Sequence, residues 1–335
     1  METKQSKTIT TGLVLGKFAP LHKGHQLLIE KSLQEMDRTV VMIYDCPEVI
    51  NVSLNKRADW IRKLYPQAIV IEAYNSPKEE GRSKIAMRAQ EKYALGQLSF
   101  PITHFYSSEW YGEHMSKALS AKNVIVDLKR IQVPISGTLI RSDPYRYRKF
   151  VEPIVYQDLI VKVVFLGAES TGKSTIAETL AKDYKTKWMP EYGREYWDKY
   201  HDISGKLSLE QLADLAREHI EKENQLIYES RKYFFVDTNT ITTEMFSRFY
   251  HNAVHPDLIE LAKQAETRYD LWFVCGTDIP YEDDGTRSGA AHRIKFQQQI
   301  IDDLKKRNIR FTLLEGSLSE RVKQVKNVLN NFKPA

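Results

Sequence analysis

The nine residues GAESTGKST, positions 167–175, restrict what this chain can fold into more than any other stretch. Gly167 and Gly172 frame a loop whose backbone N–H groups can cup a polyphosphate. Lys173 can reach the terminal oxygens, and the Ser174 hydroxyl can ligate magnesium. Such a loop works only between a strand and a helix, because the helix start supplies the unpaired N–H groups and the positive end of the dipole. Both are present: VKVVFL precedes the loop and IAETLAKDY closely follows it. Glu169, Ser170, Thr171 and Thr175 join the same nucleotide-binding set.

Around this loop the chain alternates strand-like apolar runs with helical patterns, which predicts parallel sheets covered by helices. In the first half the strands are expected at 12–15, 40–44, 69–74, 104–107 and 124–126, with helices at 25–35, 55–65, 84–95 and 110–119. The stretch RSDPYRYRKFVEP, residues 141–153, carries prolines and long polar side chains, and a new alternation begins directly after it. The domain boundary is therefore expected near residue 155, giving domains 1–155 and 156–335. Beyond it, strands are expected at 161–166, 188–189, 233–236, 271–275 and 311–314. A long helix over 208–231 should open on a capping box of Ser208 and Gln211.

A phosphate loop needs a second acid for its metal, and FFVDTNT offers Asp237 at a strand end. The same aspartate would also serve as a helix N-cap before Thr238 and Asn239. The charged run PYEDDGTRSGAAHR, residues 280–293, stands where a phosphate-transfer enzyme places a lid, so Arg287 or Arg293 can cover the terminal phosphate; an ordinary solvated loop is the other reading. EYGREYW supplies Glu191, Tyr192, Arg194, Tyr196 and Trp197, either to hold a ribose and an aromatic base or as a helix start with core aromatics.

The front half has its own anion signature. After the first strand, Gly16, Lys17 and Phe18 turn the chain, and His22-Lys23-Gly24-His25 meets a helix start. Both imidazoles can then face one phosphate beside free N–H groups, with Gly24 leaving space for the close approach. Two histidines can also be a metal pair, but no third Cys, His or carboxylate stands at ligand spacing nearby. ISGTLIR, residues 135–141, adds Ser136, Thr138 and Arg141; helix capping by either hydroxyl is compatible with phosphate binding.

Charge agrees with that reading. Positions 1–157 hold 23 basic and 16 acidic residues and the rest 26 and 28, so the front half carries +7 of the overall +5. The surplus is diffuse, so a site for small phosphates, the favoured reading, or a merely solvated surface explains it at least as well as a nucleic-acid surface. No apolar run approaches the roughly 18 residues of a membrane span or signal segment, so the chain is expected to be cytoplasmic and not membrane-embedded. Cys46 and Cys275 end separate apolar runs and read as reduced core residues.

The HxGH and ISxTxxR elements resemble the signatures of the nucleotidyltransferase superfamily. The succession GKFAPLHKGH, NKRADWIRKLYP, YSSEWYG, VPISGTLIR, GAESTGKST, EYGREYW and VDTNTITT resembles the bifunctional NadR-type nicotinamide-nucleotide adenylyltransferase fused to a ribosylnicotinamide kinase. The resemblance implies an α/β protein with an N-terminal Rossmann-like nucleotidyltransferase domain followed by a P-loop kinase domain. It implies ATP and Mg2+ as co-substrate and cofactor, and nicotinamide riboside, NMN and NAD as the other ligands. His22 and His25 would meet the α- and β-phosphates, and Ser136, Thr138 and Arg141 would clamp the departing pyrophosphate, His22, His25 and Arg141 being the catalytic set. Lys173, Asp237 and Arg287 would act in phosphoryl transfer, Ser174 and Asp237 holding the metal. Relatives also assemble into oligomers, though no stretch here identifies an interface. Enterobacterial relatives carry a helix-turn-helix domain, for which the eleven residues before the first strand are too few, so no DNA binding is expected. Ala19 stands where a larger side chain is common, leaving the strength of the adenylyltransferase half open. Other acceptors of either motif, or a nucleotide-binding regulatory role with one inactive site, are the alternatives.

Overall fold

The structure, a computed structural model, describes residues 9–77, 83–203, 205–281 and 290–332. It divides into two compact units between Asp158 and Leu159. The division falls a few residues past the expected boundary because Asp158 is tied back into the first unit: it accepts from Trp60 Nε1 at 2.8 Å and pairs with Lys56 at 3.3 Å.

The first unit contains β1 (Thr11–Gly16), α1 (Lys23–Glu35), β2 (Arg38–Tyr44), α2 (Leu54–Leu64), β3 (Ile69–Ala73), α3 (Lys84–Gly96), β4 (His104–Ser107), α4 (Gly112–Ala118) and β5 (Lys122–Ile125). The short helices α5 (Gly137–Ser142), α6 (Pro144–Tyr147) and α7 (Pro153–Tyr156) complete it. All five strands are parallel, in the order β3-β2-β1-β4-β5. The middle residues of β1 and β2 are apolar because both faces of the sheet are covered there; Leu13, Val14, Val40, Val41 and Met42, with Phe105 of β4, are fully buried. Strand order reverses between β1 and β4, and ligands of open α/β sheets bind at the carboxyl ends of strands where this happens. Helix α4 begins two residues later than expected, which leaves Trp110 and Tyr111 in the turn that enters it.

The second unit contains β6 (Val161–Leu166), α8 (Lys173–Tyr184), β7 (Trp188–Met189), α9 (Tyr192–Tyr200), α10 (Leu209–Tyr228), β8 (Tyr233–Asp237), α11 (Thr240–His251), α12 (Pro256–Ala265), β9 (Leu271–Cys275), α13 (Ala290–Lys306), β10 (Thr312–Leu314) and α14 (Leu318–Asn331). The sheet is again parallel, ordered β10-β9-β6-β8-β7. Phe165 of β6 stacks between Phe235 and Phe273 at centroid distances of 6.3 and 5.5 Å, joining three adjacent strands in one apolar layer. The capping box of Ser208 and Gln211 opens α10 as its spacing predicts, and the helix ends at Tyr228, short of the expected 231, where Arg231 bridges to Tyr233. Both cysteines are buried and free. Among the described residues no helix is long and apolar enough to cross a membrane.

One charged cluster holds the second unit from inside. Glu223 on α10 is fully buried and accepts from Arg268 Nε at 2.6 Å and Tyr269 OH at 2.7 Å, with His219 Nε2 2.9 Å away. Burial would raise its carboxyl pKa, but the charge of Arg268 and the donors of His219 and Tyr269 hold it down at about 2. Because the folded value lies below the unfolded one, this stabilisation is complete above pH 4.5 and is lost as pH falls from there towards 2. Arg268→Ala leaves the carboxylate uncompensated and is expected to cost about 3 kcal/mol at pH 7. Urea unfolding of the second unit at pH 7 and pH 3 checks this, and the variant's deficit should shrink at the lower pH.

Candidate functional sites

In the first unit the loop after β1 and the start of α1 build one wall of a cavity of about 630 Å³. His22 is the N-cap of α1 and its Nδ1 accepts from Gly24 N at 3.1 Å. Its ring stacks on His25, with centroids 3.7 Å apart, and Phe18 meets His25 edge-on at 4.9 Å. Burial, reinforced by the charge of Arg130, lowers the His22 pKa to about 4; burial, His22 and Arg130 together put His25 well below its usual value. Both imidazoles are therefore neutral at pH 7, and the buried His25 Nδ1 has no hydrogen-bond partner among the described residues. Gly24 has a second reason beyond the one expected. A Cβ there would come within 3.0 Å of the His22 ring, so the missing side chain makes room for the capping imidazole itself.

Gly16, Lys17, Phe18, His22, Gly24, His25, Ser136, Thr138 and Arg141 all line this cavity. Ser136 also caps α5 by accepting from Leu139 N at 3.3 Å. Arg141 donates to the Ala19 carbonyl and, at 3.2 Å, to Thr138 Oγ1, which holds its guanidinium at the rim. Trp110, Glu109 and Arg130 line the same cavity, and no sequence reasoning assigned them a role. Arg130 pairs with Glu109 at 2.7 Å. The only sequence signal was the YSSEWYG motif, whose residues carried no separate reading.

In the second unit β6 delivers the phosphate loop to a cavity of about 620 Å³ lined by Gly167, Glu169, Ser170, Thr171, Gly172, Lys173, Ser174 and Thr175. Gly167 and Gly172 adopt φ of 146° and 82°, and a Cβ on Gly167 would lie 2.8 Å from the Cys275 carbonyl, so glycine is required there. No side chain caps α8, which leaves the N–H groups of its first turn open to an anion. Lys173 Nζ donates to the Ala168 carbonyl at 3.0 Å across the loop.

Asp237, fully buried at the end of β8, accepts a hydrogen bond from Ser174 Oγ through Oδ2, while its Oδ1 has no partner among the described residues. Burial raises its pKa to about 6 against the opposing charge of Lys173, with Glu191 adding to the rise. A buried hydroxyl–carboxylate pair with an oxygen lone pair to spare fits a hard divalent cation. No group of three or more His, Cys, Asp or Glu able to hold a metal occurs among the described residues, so such an ion would draw most ligands from phosphate and water. The N-cap of α11 is Asn239, not Asp237: its Oδ1 accepts from Ile241 N at 3.1 Å, which frees the aspartate for chemistry.

Three buried side chains support the loop from behind. Arg293 donates to the Ser170 and Ile279 carbonyls, both at 3.0 Å. Gln297 takes the Ala168 N–H at 2.8 Å, and Arg321 donates to the Thr171 carbonyl at 2.7 Å. Arg293, considered for a lid, is thus a loop support only 6% exposed. Arg287 lies outside the described residues.

EYGREYW divides. Glu191 and Arg194 line the cavity, together with Trp188, Thr242, Phe246 and Ile279. Tyr192, Tyr196 and Trp197 are not brought into it. Tyr192 and Tyr196, four residues apart, form with Tyr200 one aromatic stripe, in which Tyr192 donates to Glu218 of α10 and lies under Lys222 at 4.4 Å. Trp197 donates to the Gly205 carbonyl at 2.8 Å and stacks on His201 at 4.1 Å. The cavity aromatics are Trp188 and Phe246, which sequence reasoning did not single out for binding.

Fold and sites together define a two-unit α/β protein with a nucleotidyltransferase-type histidine site in one unit and a P-loop in the other. Residues 162–321 match the AAA domain family. The chain is a homologue of NadR: it is 29% identical over 336 residues to the trifunctional NAD biosynthesis/regulator protein NadR of Escherichia coli (strain K12), covering 93% of this chain and 80% of that protein. Two solved structures share the fold over 98% of this chain and 97% of theirs. They are a NadR protein in complex with NR, at TM-score 0.57 and 22% identity, and a NadR protein in complex with NAD and AMP-PNP, at 0.55 and 20%.

Proposed function

We propose that this protein makes NAD in two ATP-dependent steps, phosphorylating nicotinamide riboside in the second unit and adenylylating the resulting NMN in the first. The observation that carries the proposal is that each unit sets a helix start with open or histidine-capped N–H groups against a cavity of about 600 Å³, large enough for a nucleotide and its acceptor. The homology to NadR supports the choice of acceptors.

In the first unit a phosphate oxygen of NMN attacks the α-phosphorus of ATP, and pyrophosphate leaves. His22 and His25 donate hydrogen bonds to the phosphates, Arg141 and Arg130 offset the charge that develops, and Gly16, Lys17 and Phe18 shape the nucleotide pocket. Trp110 offers a flat face for a base or nicotinamide ring. In the second unit Lys173 and the loop N–H groups hold the β- and γ-phosphates, and Ser174 with Asp237 would hold Mg2+, which supplies charge neutralisation to the transferring phosphoryl group. Glu191 and Arg194, which line the cavity, would bind the riboside hydroxyls, and Asp237 would either position the metal or receive the 5′-hydroxyl proton.

The test is the full chain with ATP, magnesium and a panel of acceptors: nicotinamide riboside, NMN, pantetheine phosphate, alcohol phosphates and other nucleosides. ADP should appear with nicotinamide riboside and pyrophosphate with NMN. Turnover of another acceptor with neither of these would reject the assignment, and ATP binding without either product would make the protein a nucleotide sensor.

A further inference from the structure

Arg57 is a cation buried completely in the first unit, and nothing in the proposed chemistry uses it. It sits on the first turn of α2, whose N-cap Ser53 accepts from Lys56 N at 3.3 Å. From there its guanidinium reaches three backbone carbonyls belonging to separate segments. Nε donates to Val52 at 3.1 Å, Nη1 to Tyr44 at 2.9 Å and also to Lys17. The nearest carboxylate, Asp45, is 3.5 Å from Nη2. A guanidinium taken out of water is costly, and here it is compensated by the set of carbonyls it joins together with the Asp45 carboxylate.

The Lys17 carbonyl is the informative member. It immediately precedes Phe18, which has φ of 46°, a left-handed conformation that a bulky residue keeps only when its surroundings impose it. Phe18 is 1% exposed and sets its ring against His25. Above the loop, the Lys17 side chain reaches Glu48 at 3.4 Å, so residue 17 is held on both sides. A planar fork that spans the ends of β1 and β2 from beneath is a job for arginine, since lysine offers a single point of donation.

We propose that Arg57 is a positioning residue of the adenylyl-transfer site: by holding the Lys17 and Tyr44 carbonyls it preforms the Gly16–Lys17–Phe18 loop that receives the nucleotide. The proposal rests on the reading of the first unit as an adenylyltransferase. Its consequence is specific, because a misshapen loop weakens ATP binding whereas loss of folded protein lowers the amount of active enzyme.

The experiment compares Arg57→Gln and Arg57→Lys with the unaltered full chain, with folding checked by the thermal transition and by riboside phosphorylation in the second unit. ATP affinity of the first unit is measured in the Lys173→Ala background, which disables the phosphate loop. For folded variants, KM and Kd for ATP should rise on the order of tenfold or more, the lysine variant less than the glutamine one, with riboside phosphorylation unchanged. Unchanged ATP KM and Kd would overturn the proposal, and so would a fall in kcat with KM unmoved. If the unaltered chain transfers nothing to NMN, the adenylyltransferase reading fails, while the ATP affinities still decide the role of Arg57.

Discussion

Replacing Lys173 by alanine is expected to lower riboside phosphorylation roughly a hundred- to a thousandfold, the usual cost of removing one preorganised charge contact from a transferring group. Lys173 is only 8% exposed, opens α8 and donates to the Ala168 carbonyl, so its ammonium lies inside the phosphate loop. Adenylylation of added NMN should be unaffected, because the histidine site lies in the other compact unit. Separate assays for ADP and pyrophosphate measure both. Equal loss of the two activities would contradict two independent phosphate sites. A loss of phosphorylation below tenfold would make Lys173 peripheral.

The reverse pattern is expected for His25→Ala: a fall of about a hundred- to a thousandfold in NAD formation from NMN and ATP, with riboside phosphorylation intact. His25 is half-buried and neutral at pH 7, and its Nδ1 has no partner among the described residues, a combination that keeps one ring nitrogen available for a phosphate oxygen. A bound triphosphate opposes the causes that depress the two imidazole pKa values, so ATP binding should draw protons onto this pair, with the gain in affinity developing as pH falls towards 4, the value of His22 in the free site. Full NAD synthesis by the alanine variant would remove the histidine from the reaction. His22→Ala carries a second effect, since it also deletes the N-cap of α1 and its bond to Gly24.

The phosphate loop, the histidine turn and the strands that deliver them were legible because each is a local pattern. GAESTGKST announces itself by spacing alone. Fully buried parallel strands are continuous apolar runs, and the central strands β4, β6 and β9 occur at the expected residues. The short edge strand β5 starts two residues and ends one residue earlier than expected, as happens where one neighbour alone specifies the register. The metal-type aspartate was readable as one of two things, and a single hydrogen bond decided between them: Asn239 caps α11, leaving Asp237 to Ser174.

What the amino-acid order determined by itself was the kind of fold and the two phosphate-binding elements, because helix periodicity, strand hydrophobicity and glycine-framed turns act over a few residues. What tertiary structure alone decided was which side chains surround those elements. EYGREYW has aromatic and charged residues on every side of a helix, and only packing against α10 turned the tyrosines inward and left Glu191 and Arg194 at the cavity. Arg130 and Trp110 line the histidine cavity from loops after β5 and β4, and Arg57 reaches Lys17 from a helix forty residues on. Those convergences follow from strand order and long-range burial, for which no local spacing is a sufficient signal.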